Sequence, residues 1–277
     1  MAGIHYLKEK RNRKDYCNIC GEYAPLTWDH VPPKGLTHGE AIIANTIFEK
    51  LPEPNSHMKR FQSGIKYRSI CQKCNNEVLG ENDMVYQEFI TEVDKQIRSR
   101  LLLPKIIVPV KINRLCRAMI GHMLAAKNSF EKDVIPDQQM RDYVLNTDTR
   151  LHGIKIYAWL YPYMTIVIAR DFVTMGFNQD SHPTGMISGI VLSWPLAYMV
   201  SDQENDCGID DLGKYTTDVI DEEIEVTLHI ESLYMKGSQE FKPFNWPINI
   251  GNDKSKSAMF ALGGPVLQED SRLGVKG

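Results

Sequence analysis

The sequence predicts an α+β protein: a small metal-held module followed by a mixed helical and β-rich domain. Three observations lead there. Four of the six cysteines fall in two CxxC pairs, Cys17/Cys20 and Cys71/Cys74. Residues 81–150 carry apolar side chains at helical spacing, and residues 151–250 turn to runs rich in Ile, Val, Tyr, Trp and Thr. With 277 residues, 43% of them apolar, the chain can build one large domain or two ordinary ones with real cores.

Residues 1–15 read as a basic lead-in. Residues 16–80 are rich in Pro, Gly, Cys and polar groups and show little apolar periodicity, so a metal is needed to hold them. The 50 residues between the two pairs, Gly21 to Ile70, are long for a plain zinc ribbon. Part of that gap is expected to be a short helix or a mobile loop. After Cys74, "NNEVLGENDMVYQEFITEVDKQIRSRLLL" has helical spacing, with Met84, Tyr86, Phe89, Ile90, Val93 and Ile97 along one side. Gly80 is expected to break it into a short helix and a longer one, and Pro104 to end it.

"KIIVPVKI" reads as a strand or extended connector, with Pro109 keeping it off a sheet centre. "NRLCRAMIGHMLAAKNSF" reads as a helix with Asn113 as its N-cap and Cys116 as a core thiol. "PDQQMRDYVLN" reads as another, opened by Pro136. From Leu151, "GIKIYAWLY", "MTIVIARDFVTMGF", "GMISGIVLSW" and "EIEVTLHIESLYM" read as strands. The aromatics of "YAWLYPYM" and the residues His122 and His229 are expected to serve packing. The organisation expected is a metal-held module at 1–80, a helical segment at 81–150 and a β-rich part at 151–277. The last two form one α+β domain, since neither buries its apolar faces alone.

Formal net charge is −3, so nothing global points to nucleic acid. Residues 1–80, however, carry 12 Lys and Arg against 8 Asp and Glu, net +4, leaving −7 on the rest. That asymmetry suits a local polyanion site. The longest uncharged run, Thr184 to Val200, contains Pro195 and falls short of a spanning helix; two buried strands fit it better. No apolar run follows the basic lead-in, so a secretory signal is not expected and the protein is placed in the cytoplasm. Thiols stay reduced there, and two CxxC pairs then read as a four-thiolate zinc site. The run "GIDDLGKYT" nearly matches a phosphate-binding loop, but Tyr215 replaces the magnesium-binding hydroxyl and two aspartates would repel phosphate.

Between the pairs lies "WDHVPPK", and "CQKCNN" closes the module. If four thiolates saturate the zinc, Asp29 and His30 are available for other work. Asp29 is a hard oxygen ligand suited to magnesium. His30 can be a neutral general base near pH 7. Adjacent strand residues face opposite sides, so the two would address metal and substrate from different directions. Asn75, directly after the last zinc ligand, offers a neutral oxygen.

CxxC, then Asp-His, then CxxC-Asn resembles the HNH, or ββα-metal, endonucleases, and most closely their zinc-containing branch typified by recombination endonuclease VII. The resemblance covers about 65 of the 277 residues. It implies a zinc-stapled ββα-metal module with structural Zn2+ on Cys17, Cys20, Cys71 and Cys74. It implies a catalytic Mg2+ or Mn2+ on Asp29 and Asn75, and His30 as general base. "KYRSI" lacks the Asn that the family often carries before the second CxxC, and Asn75 and Asn76 stand where many members have a metal-binding His. Lys34, Lys66, Arg68, Lys73 and Lys14, with Arg11 and others of the lead-in, are candidate phosphate contacts.

The function expected is hydrolysis of DNA phosphodiester bonds, with RNA left open, in bacterial or phage DNA processing or antiphage defence. One site per chain cuts one strand, so a double-strand break needs a dimer or two visits; the acidic C-terminal domain suits a contact with a second copy (a homodimer) or a protein partner, and no membrane is expected. The competing expectation is a non-catalytic zinc module that binds nucleic acid or serves as an adaptor.

Overall fold

A computed structural model describes residues 11–33, 44–46, 65–99, 104–127, 129–146, 150–161, 166–177, 183–202, 209, 211–229 and 258–261. The architecture is mixed α+β. Strands β1 (Lys14–Tyr16), β2 (Tyr23–Val31) and β4 (Ile65–Cys71) form a three-stranded antiparallel sheet in the order β1-β2-β4. Strand β3 (Ala44–Thr46) lies inside the long gap; the helix or loop expected in part of that gap falls on residues outside those described.

The chain enters a helix directly from β4. A π-helical turn, Cys74–Leu79, passes into α1, Gly80–Ile97. Gly80 has ordinary helical angles, φ −52° and ψ −45°, so the helix runs through it instead of breaking. The irregularity sits one turn earlier, where Cys74 must turn inward. Tyr86, Phe89, Ile90, Val93 and Ile97 form the buried stripe as the spacing predicts, but Met84 is 61% exposed and Asn82 takes the inward position.

Strand β5 (Lys105–Lys111) pairs with β10 (Glu223–His229) in a two-stranded sheet, with Pro109 exposed as expected of an edge. Helix α2 (Ile112–Ala125) follows at once, and every one of its residues except Arg114 is buried. A helix buried on all sides is the centre of a core. It packs against α1, α3 (Ile135–Leu145), β2, β4, β5 and two later strands, β8 (Pro183–Leu192) and β9 (Leu196–Ser201). A side chain at Gly121 would overlap Leu79, so this glycine lets α2 approach the π-helical turn closely. Asn113 does not cap α2. The helix opens at Lys111 in extended conformation, and the Asn113 amide instead donates to the carbonyls of Thr217 and Val219, both at 2.8 Å. Cys116 is a fully buried core thiol, as expected, and burial raises its pKa.

Strands β6 (Lys155–Leu160), β7 (Ile166–Phe177), β8 (Pro183–Leu192), β9 (Leu196–Ser201) and β11 (Ala258–Ala261) join β3 in a six-stranded antiparallel sheet. Its order is β3-β11-β7-β8-β9-β6. The uncharged run read as two buried strands is β8 and β9. The Tyr198 hydroxyl of β9 donates to Met119 O of α2 at 3.2 Å, tying sheet to helix. Among the described residues no helix is long and apolar enough to cross a membrane.

Candidate metal centre and acid–base cluster

The four cysteines predicted as ligands come together. One sulfur from each of Cys17, Cys20, Cys71 and Cys74 lies within 4.8 Å of all the others. Gly21, at φ 73°, lets the chain turn back after Cys20, and its amide donates to Cys17 O at 2.9 Å. The Cys71 amide donates to Cys17 Sγ at 3.3 Å. Cys20 Sγ and Cys71 Sγ are 3.8 Å apart. A tetrahedron with Zn–S bonds of about 2.3 Å has edges of about 3.8 Å, so the donor set fits a metal ion such as zinc.

The electrostatics ask for a cation. Cys17 is held down at about 5, chiefly by the hydrogen bond from Cys74 and against its burial. Cys20 is pushed up to about 11, first by burial, and Cys74 is pushed up by its bond to Cys17 and by burial. Four thiols brought this close suit a divalent ion, whose binding would displace their protons.

The β2–β4 register then sorts the other predicted residues. Trp28 pairs with Arg68, Asp29 with Tyr67 and His30 with Lys66, after an irregularity at Thr27/Trp28. Asp29, Val31 and Tyr67 are buried, while Trp28, His30, Lys66 and Arg68 are half-buried on the alternate positions. The Arg68 guanidinium stacks 4.4 Å from the Trp28 ring centre. Asn75, in the π-helical turn, donates through Nδ2 to Thr27 Oγ1 at 3.1 Å and Trp28 O at 3.2 Å. Thr27 in turn donates to Ile70 O at 3.0 Å, which fixes the start of the helix against both strands. Lys73 and Lys14 are exposed, and Lys14 lies over Tyr23 on the β1 side of the sheet. Lys34 lies outside the described residues, as do His38, His57 and Asn55 of the gap. The Arg11 guanidinium donates to Asp15, Asn18 and Tyr16 O.

Asp29 has a partner that the sequence did not suggest. Its Oδ2 lies 3.0 Å from Nδ1 of His122, in the last turn of α2. The other ring nitrogen, Nε2, lies 2.7 Å from Asp83 Oδ1 on α1. His122 is fully buried. A neutral imidazole donates from one nitrogen only, so two carboxylate acceptors call for the imidazolium. Burial opposes that charge, but Asp83 and Asp29 outweigh it and raise His122 to about 10. His122 is thus a charged link between two elements, where the sequence reading gave it a packing role. The one available signal was periodicity: Asp83 sits three residues before Tyr86 on the stripe that runs through Ile90, Val93 and Ile97.

The fit of a hard divalent ion turns on the oxygens left over. Among the described residues no hydrogen bond reaches Asp29 Oδ1 or Asn75 Oδ1. One anionic and one neutral oxygen suit magnesium or manganese, which keep several waters and take phosphate oxygens as further ligands. Asp29 and Asn75 share no hydrogen bond with each other; both are tied to one short stretch of β2. No family model matches this sequence, and no curated protein or solved structure shows significant similarity to it.

Proposed function

We propose that this chain is a metal-dependent HNH endonuclease that hydrolyses DNA phosphodiester bonds. The observation that carries the reading is the β2–β4 register. It sets His30 beside Trp28, Lys66 and Arg68 on one half-buried strand face, with Asn75 stitched to the same strand. The order strand, strand, helix, closed by the four-cysteine cluster, supports the same reading. Lys66 and Arg68 would hold the phosphate backbone, with affinity that falls as salt rises. His30, neutral, would take the proton from a water attacking phosphorus in line. A divalent ion on Asp29 and Asn75 would supply charge neutralisation at a phosphate oxygen and at the leaving 3′ oxygen. A role in bacterial or phage DNA processing or antiphage defence rests on the family resemblance alone.

The test is nicking of supercoiled plasmid by the zinc-loaded chain in magnesium or manganese, with EDTA as control. His30→Ala should lose about 10²–10⁴-fold in rate. Equal rates for the two proteins would remove His30 as base. A second reading, a zinc module that binds nucleic acid without cutting it, draws on the pairing of Asp29 with His122, which occupies one carboxylate oxygen. It predicts a mobility shift of the plasmid and no nicked product with either metal.

A further inference from the structure

The Asp29–His122–Asp83 cluster joins three elements. Asp29 is on β2, Asp83 on α1 and His122 on α2, 93 and 39 residues away from its two partners. Both ring nitrogens are engaged, so the imidazole cannot turn over or swing without breaking a contact. Its surroundings are shut as well: the Tyr86 ring centre is 6.4 Å away, and Gly121 brings α2 hard against Leu79. If this position served packing alone, an apolar ring would fill it without burying charge. Burying a charge is costly unless it is paired, so a buried His between two carboxylates needs a reason beyond volume.

We infer that His122 is a positioning residue: from α2 it holds one carboxylate oxygen of Asp29, with Asp83 bracing the far side of its ring, and so leaves the other oxygen to a divalent cation. This rests on the endonuclease reading in taking Asp29 as a ligand of that cation. Metal-binding carboxylates are commonly fixed by such outer partners, and losing one costs about 10–100-fold in metal affinity or activity. The partner here comes from the second half of the fold's core helix, far from the cysteine pairs. A fragment ending near residue 80 would keep Asp29, His30 and Asn75 yet lack the group that sets the Asp29 side chain.

The experiment is a manganese titration of the full-length, zinc-loaded protein followed by electron paramagnetic resonance, with plasmid nicking measured on the same samples. Asp29→Asn should lose the manganese site. His122→Leu should bind manganese about 10–100-fold more weakly. His122→Asn, whose amide nitrogen stands near the place of Nδ1, should keep most of the affinity, a rescue that a packing role would not give. In nicking, His122→Leu should lower kcat and leave KM for DNA unchanged, since the Trp28, Lys66 and Arg68 face is untouched. Zinc content and far-UV circular dichroism report folding. Should His122→Leu not fold, His122→Gln, whose amide reaches toward Asp83 instead, carries the same expectation. The inference is overturned if His122→Leu or His122→Gln binds manganese as tightly as wild type while wild type binds and nicks; it then falls alone. A wild type that binds no manganese and nicks nothing overturns the endonuclease reading and this inference together.

Discussion

The three-stranded sheet and the core around α2 are held together by different means. In the first, the buried apolar side chains are few: Ile19, Leu26, Val31, Tyr67 and Ile70, with Leu79 of the adjoining helical turn and the cysteines. In the second, a single helix is buried on nearly every position and is covered by two helices and three sheets. A metal on the four cysteines would hold the first, locally and specifically; apolar burial holds the second and is distributed and forgiving. The buried side chains of both regions belong to one continuous apolar cluster, and polar contacts tie them as well. Asn18, between the first two cysteines, donates through Nδ2 to Leu124 O at 3.0 Å and Lys127 O at 2.8 Å. Ser69 Oγ donates to Ala125 O at 2.5 Å. Carbonyls at and just past the end of α2, which no further helical turn can satisfy, are thus satisfied from the side of the four-cysteine cluster. Arg141 of α3 returns a bond to Asn18 O at 3.1 Å.

The contrast is most sharply tested by removing the metal. Zinc binding by such thiolate sets is worth about 10–16 kcal/mol at neutral pH. Chelation, or Cys17→Ser, should therefore unfold the three-stranded sheet while the α2 core persists, giving two separate thermal transitions by circular dichroism. One unchanged cooperative transition would mean that the two regions are not held differently at all. A smaller effect is expected at the seam. Asn18→Ala leaves the Leu124 and Lys127 carbonyls without their donor, at about 1–3 kcal/mol for each buried group left unsatisfied. Denaturant midpoints would show it, and a loss below a few tenths of a kcal/mol would mean that water replaces the amide.

The smallest effect lies on the surface of the body. Asp221, beside Arg114 and Lys111, is held down at about 2, chiefly by the Arg114 hydrogen bond. A depressed carboxylate stabilises the fold above its unfolded value near 3.8, and that contribution is lost as pH falls toward 2. Asp221→Asn should cost less than about 1 kcal/mol at pH 7 and flatten stability over that acid window. The same slope in mutant and wild type would assign the acid sensitivity to other carboxylates.

What could be read from the sequence was what repeats or sits at fixed spacing. The CxxC pairs announce their own geometry, and β-branched runs announce β6 to β10. The inward stripe of α1 was legible at Tyr86, Phe89, Ile90, Val93 and Ile97. It failed at Met84, because a polar residue, Asn82, takes the inward place one turn earlier. The Gly80 break failed because glycine permits helix, and the distortion lies in the π-helical turn Cys74–Leu79 instead. Asp83 and His122 could be seen only as a carboxylate and an imidazole in apolar surroundings. Their partnership spans elements whose approach is set by topology and by the absent side chain of Gly121. Asn113 was a reasonable cap by type, and its amide was claimed by the Thr217–Val219 turn, 104 and 106 residues on.

The seam also has a timing. The ribosome completes the four thiolates when it adds Cys74, yet α2 ends only 51 residues later, at Ala125. At about 5–20 residues per second the newborn sheet waits roughly 3–10 seconds for the helix that it will cap. Through that interval Asn18 Nδ2 and Ser69 Oγ would lack their α2 partners, and the Asp29 carboxylate would stand without its imidazole. A chain that takes up zinc during synthesis would thus hold a finished sulfur cage before its Asp29 carboxylate is set, and α2 would arrive last to lock it.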